Sequence, residues 1–248
     1  MRAEAAARRS YAGRPARLAD LLLDLLPVID GLAGHEPGHA MRTCYVAMRL
    51  AEAMGIADRD RGALFYAALL HDAGSIADGE SSGGRPAMMR RLMPISRGTD
   101  EEQRAAEHQR VRRGAQFAAR AGFGPEVAVT TLALNERWDG RGQPMGLAGE
   151  AIPLFARIVA LAECVDLTAN DEGGPAVLAT LHGRSGTWYD PEIASVLVTL
   201  CANGLLRDLK VEEMRSAVPA LEPTWLMRMV DEEDAERIQG ALSLAGGG

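Results

Sequence analysis

The sequence is poor in several features that would define a chemistry at once. It has three cysteines, Cys44, Cys164 and Cys201, widely spaced and without a CxxC pair. That excludes a disulfide framework or a thiolate zinc knuckle and reads as reduced thiols in a cytosolic protein. Aromatic residues make up only 4% of the 248 residues, which speaks against a sheet-rich core. No run of about 18 uncharged apolar residues occurs, so no membrane span is expected. The best candidate, residues 21–32, is interrupted by Asp24, Pro27 and Asp30. The basic start (Arg2, Arg8, Arg9, Arg14, Arg17) lacks the apolar stretch of a secretion signal. A formal charge of −7, from 27 basic and 34 acidic residues, argues against a nucleic-acid partner.

What is abundant is helical. Hydrophobic residues reach 47%, crowded with alanine and leucine, and no strand-like alternation or solenoid repeat is visible. The periodicity and punctuation predict helices over 16–26 (broken or kinked at Pro27), 38–54, 58–73, 86–92, 99–121, 125–135, 153–169, 174–182, 191–202, 211–217 and 231–243. Loops are expected over 74–85 and over the glycine-rich 136–150. Residues 1–15 read as a frayed tail and 246–248 as a flexible end. The expected architecture is all-α: one helical domain over 16–218 and a small helical extension over 219–248.

There are only five histidines: His35, His39, His71, His108 and His182. His35 and His39 are four apart at the start of one predicted helix, so both project on one face. His71 is followed by Asp72 at the end of the apolar run Ala68-Leu69-Leu70. A buried imidazole beside a carboxylate requires a partner or a metal, since unpaired buried charge is expensive. A core histidine held only by hydrogen bonds is the plain alternative. Imidazoles with carboxylates suit Fe, Mn, Zn or Ni rather than Mg. Gly140-Arg141-Gly142 is not a dinucleotide fingerprint, because it follows a helix and its spacing is wrong.

The segments GHAMR (38–42), ALLHDAGS (68–75) and ERWDGRGQPMGLAGEAIPLFARIVALAECVD (136–166) together resemble the HD superfamily of metal-dependent phosphohydrolases, and within it the HD-GYP subgroup. The resemblance covers about 18–170. It implies metal ligands at His39, His71, Asp72 and Glu163, with His108 on the long middle helix and His35 as further candidates. Where the subgroup has paired histidines this chain has Leu134 and Asn135, its lysine is Ser75, and its signature tyrosine is Gln143. The arginine-rich, tyrosine-containing stretch after the last helix is absent, and 230–243 resembles a lead into a second unit. The resemblance therefore implies one divalent transition metal, Fe or Mn first, Zn or Ni otherwise. The substrate it implies is a nucleotide or phosphoester such as cyclic di-GMP, turned over weakly. Asp72 and His108 are the expected catalytic groups, and Arg42, Arg110, Arg141 and Gln143 the expected substrate contacts. Arg110 has a second reading, as part of a solvated helix face paired with Glu107. The rival reading of the whole chain is an inactive regulatory domain with an empty site, which keeps the scaffold and binds a protein partner or signalling domain.

Overall fold

The computed structural model describes residues 17–78, 100–227 and 229–245, among which there are ten α-helices and no strand. The expected helix over 86–92, most of the loop over 74–85, and both chain ends lie outside the described residues. No described helix is long and apolar enough to cross a membrane.

Helix α1 (Leu18–Ala33) buries Leu18, Leu21, Leu22, Leu25, Leu26, Ile29 and Ala33 on one stripe. The break expected at Pro27 does not occur, and the helix runs on to Ala33. An internal proline costs about 3 kcal/mol. Burying Ile29 beyond it returns about 1.5–3 kcal/mol. Gly34, with φ of 80°, ends the helix, and the His35 amide closes back onto the Asp30 carbonyl at 2.8 Å.

Helix α2 (His39–Ala53) starts without a cap of its own, since Gly38 has no side chain. The buried Asp30 carboxylate supplies the cap from the preceding helix, accepting from Gly38 N at 2.8 Å and Ala40 N at 3.2 Å. The predicted helix over 58–73 is shorter and split. A 3₁₀ turn at Asp58–Asp60 leads into α3 (Gly62–Leu69), and a second 3₁₀ segment covers Ala73–Asp78. The helix stops because His71 turns back and donates from Nδ1 to the Ala68 carbonyl at 2.8 Å, taking an acceptor that a further turn would need.

Helices α4 (Asp100–Arg120) and α5 (Pro125–Leu132) pack on each other, α5 also on α3 and α4 on the second 3₁₀ segment. The long α6 (Leu154–Glu172) lies along α2 at the centre of the molecule, with α7 (Gly174–Arg184) and α8 (Pro191–Ala202) beside it. Helix α9 (Val211–Ala220) covers α2, and α10 (Glu232–Ala245) covers α4 and the second 3₁₀ segment. Val230, Ala235, Ile238 and Ala241 enter the same hydrophobic core as α1 and α2. Helix α4 comes very close to the turn after Asp72: a Cβ on Gly74 would stand 1.9 Å from the Arg110 carbonyl oxygen. Arg17 and Tyr66 both bind the buried Glu222 carboxylate, Tyr66 Oη at 2.6 Å, joining the first turn of the fold to its last quarter.

Candidate metal centre

Four elements converge on one buried point. The turn after α1 brings His35, the first residue of α2 brings His39, the turn after α3 brings His71 and Asp72, and α6 brings Glu163. One ligand atom each from His35, His39 and Asp72 lies within 4.8 Å of the others, and so does one each from His39, His71 and Glu163. His39, His71, Asp72 and Glu163 are each 5% exposed or less, although the chain separates His39 from Glu163 by more than a hundred residues.

The tautomers follow from the outer partners. His39 Nδ1 lies 2.7 Å from Asp166 Oδ2, and His71 Nδ1 donates to the Ala68 carbonyl. Both Nε2 atoms therefore turn inward, and they face each other at 3.0 Å. Two lone pairs cannot sit so close without a cation between them. Asp72 Oδ2 lies 3.2, 3.5 and 3.3 Å from Nε2 of His35, His39 and His71, yet makes no hydrogen bond. Opposed nitrogens and a buried carboxylate oxygen without a hydrogen bond fit a divalent ion, which would replace the single proton now able to occupy that gap.

Burial works against the charged form of His39, but the Asp166 hydrogen bond and Asp72 overcome it and raise its pKa to about 10. For Asp72, burial is outweighed by His71, His35 and His39, which hold the carboxyl well below its usual range. For Asp166, burial is likewise outweighed by His39 and by Arg42. With His39 protonated, two cations (His39, Arg42) face three carboxylates (Asp72, Asp166, Glu163). With a divalent ion in place of that proton, three positive charges balance the three carboxylates.

Arg42, expected at the substrate, is engaged by Asp166. Its Nε and Nη2 donate to Asp166 and its Nη1 to the Pro37 carbonyl at 3.3 Å, with 6% of the residue exposed. It braces the carboxylate behind His39. His108 lies on α4 outside both groups of converging ligand atoms, with its Nε2 buried and making no hydrogen bond. Arg110 pairs with Glu107 within α4 at 2.8 Å. Arg141 is exposed, and Gln143 donates its backbone N–H to Asn135 O at 3.0 Å. Leu134 is in the core, and Asn135 Oδ1 is buried without a hydrogen bond. Glu136 staples the loop after α5 by accepting from Met145 N and Leu147 N at 2.7 and 2.9 Å. A Cβ on Gly142 would stand 2.2 Å from Arg137 N, so only glycine fits that turn.

Sequence reasoning missed Asp166 and Asp30. Asp166 was legible as a second acid three residues after Glu163 on an apolar helix, where i and i+3 share a face. Asp30 left no signal, because its cap reaches across a turn to another helix.

A family model described as HD domain matches residues 24–193. The 3'3'-cGAMP-specific phosphodiesterase 3 of Vibrio cholerae is 26% identical over 91% of this chain and 57% of its own length. The cyclic di-GMP phosphodiesterase response regulator RpfG of Xanthomonas campestris is 33% identical over 73% of this chain and 48% of its own. A crystal structure of the cyclic GMP-AMP-specific phosphodiesterase V-cGAP3 of V. cholerae superposes with a TM-score of 0.81 at 26% identity, over 94% of this chain and 60% of that one. This chain thus spans about half the length of the curated relatives it matches.

Proposed function

The chain belongs to the HD-domain family, and from that premise we propose that it is a metal-dependent phosphohydrolase of the cyclic-dinucleotide phosphodiesterase class. The observation that carries the reading is the facing pair His39 Nε2 and His71 Nε2 at 3.0 Å beside the buried Asp72 Oδ2, which makes no hydrogen bond. His39, His71, Asp72 and Glu163 would hold the ion. The metal expected for this set is Fe or Mn, with Zn or Ni as alternatives. Such an ion supplies charge neutralisation at a phosphoryl oxygen and a water made acidic near pH 7.

The chain's own groups do the rest. Asp166 and Arg42 lock the ring of His39. Asp72, kept ionised, presents an oxygen that orients the attacking water. His108 is the group we assign to protonate the leaving oxygen, and Arg110 and Arg141 the cations that meet the non-bridging oxygens. Gln143 stands in the loop stapled by Glu136, where it would contact the substrate.

Turnover of cyclic di-GMP is expected to be weak, since Leu134, Asn135 and Gln143 replace the ligand pair and the tyrosine that the resemblance implies. The same replacements support the second reading, a regulatory domain on the HD scaffold. Metal content of the purified protein, measured together with linear product released from cyclic di-GMP and from 3'3'-cGAMP, separates the two. One bound ion with turnover that is lost in Asp72→Ala supports the enzyme. An empty site with a melting temperature indifferent to chelator supports the scaffold.

A further inference from the structure

We infer that the cleft between the starts of α1, α3 and α5 binds an organic cation, an alkylated ammonium head carried on an apolar body. The cleft has a volume of about 600 Å3, within the roughly 300–1,000 Å3 of small-molecule sites. Leu18, Tyr66, Phe123, Glu126, Trp225 and Met227 line it. It opens at the start of α3, whereas His71 and Asp72 follow the end of that helix, and it shares no lining residue with the metal centre.

Aromatic residues are scarce in this chain, eleven in 248, yet three of them meet here. A Cβ on Gly62 would stand 3.4 Å from Cζ2 of Trp225, so the indole lies close against the start of α3. Tyr66 is four residues on, on the same face of that helix, and the Phe123 ring lies 5.2 Å from it at a 47° tilt. The Tyr66 hydroxyl donates to Glu222, which fixes the phenol ring. Trp225 is 59% exposed, so the indole keeps an open surface towards the cleft.

The charge balance selects the sign of the ligand. Glu126 is the one ionisable carboxylate in the lining, exposed and without an ion pair among the described residues. The cations beside the lining are already answered: Arg17 by Glu222, Arg61 by Asp58 and Arg237 by Asp234. The N-terminus of α5 adds about half a positive charge, less than the full negative charge of Glu126 in its first turn. Ring faces carry negative potential, and together with an unanswered carboxylate they attract a cation. Apolar walls select one whose charge is weakly hydrated, as in a quaternary ammonium. Trp225, Met227 and Met229 are the exposed large apolar side chains at this edge. They offer roughly 300 Å2 together, short of the about 800 Å2 per partner of a stable dimer, which favours a small ligand over a second copy.

The test uses the full chain and two soluble probes of like shape and opposite sign, benzyltrimethylammonium and benzylsulfonate, titrated by calorimetry and by NMR. The ammonium should bind saturably in the millimolar range and move the Trp225 indole resonance, and the sulfonate should bind at least about tenfold more weakly. Trp225→Leu keeps apolar area but removes the indole, and should weaken the ammonium about 5–30-fold. Glu126→Gln should weaken it about 2–5-fold. Asp72→Ala should leave this binding unchanged, so the metal reading and this one fail separately. Equal affinity for the two probes, no saturable shift with the ammonium, or unchanged affinity in both Trp225→Leu and Glu126→Gln overturns the inference. So does a concentration-dependent dimer that Trp225→Leu disperses, since a second copy then fills the cleft. Should Trp225→Leu not fold, the wild type decides: NOEs from the ammonium methyls to the Trp225 and Phe123 rings support the inference, and saturable binding without them refutes it.

Discussion

Nε2 of His39 and Nε2 of His71 point at each other across 3.0 Å, each ring held from behind through its Nδ1. The gap is a competition site between a proton and a metal ion. With the His39 pKa near 10, binding of Zn2+ or Fe2+ at pH 7 should release about one proton, and affinity should rise about tenfold per pH unit up to that pKa. Calorimetric titration in buffers of different ionisation enthalpy measures the proton count. Zero protons released would contradict the arrangement.

Without metal, stability should depend on pH from both sides. The His39 pKa is raised from 6.5 to about 10, so its contribution is complete below about pH 6.5 and is lost as pH rises through about 10. The Asp72 and Asp166 pKa values are lowered from 3.8, so their contributions are complete above about pH 4 and are lost on acidification below it. Urea midpoints of the metal-free protein should form a plateau between these limits. His39→Gln should remove the alkaline fall, and persistence of that fall would assign it to another group.

Asp166 and Arg42 should behave as one unit. Asp166→Asn leaves the Arg42 guanidinium buried without its anion, and Arg42→Ala leaves Asp166 without its second cation. Each should cost about 3–5 kcal/mol of stability and, through His39, about 10–100-fold in metal affinity. The double variant should cost less than the sum of the two. Denaturant unfolding and chelator competition on all three proteins give the cycle, and additive losses would show that the pair is not coupled.

Gly74→Ala should be among the most damaging single-methyl changes in the molecule. The new Cβ would meet the Arg110 carbonyl oxygen at 1.9 Å, backbone that cannot rotate away. Helix α4 would have to move off the turn carrying Asp72, at a cost of about 1–3 kcal/mol or more. Gly31→Ala, with nothing within 4 Å, is the matched control and, inside a helix, should hold or slightly raise the melting temperature.

Much of the centre could be read from the sequence because it is local in kind. His71-Asp72 ends an apolar run, Glu163 sits in an apolar helix, and His39 heads the segment that resembles a family motif. The helices were legible for the same reason, since a period of 3.6 depends only on near neighbours. Pro27 misled because its local penalty competes with tertiary burial of the following turns, which no window of sequence contains. Arg42 meets a similar limit. A cation beside a ligand histidine suggests a phosphate, and only the packing of α2 on α6 reveals Asp166 as its anion. Asp30 is the extreme case, a cap whose donors belong to another element.

Glu222 ties together residues that the chain keeps far apart: 205 positions separate it from Arg17 and 156 from Tyr66. Closing so long a loop is entropically unfavourable and becomes worthwhile only once the helices between have docked. The clasp is thus a late event in folding and an early one in unfolding. Glu222→Gln should leave the refolding limb of a chevron almost unchanged and steepen the loss of native protein, so that the lifetime of the folded state, rather than the speed of reaching it, is set at this carboxylate.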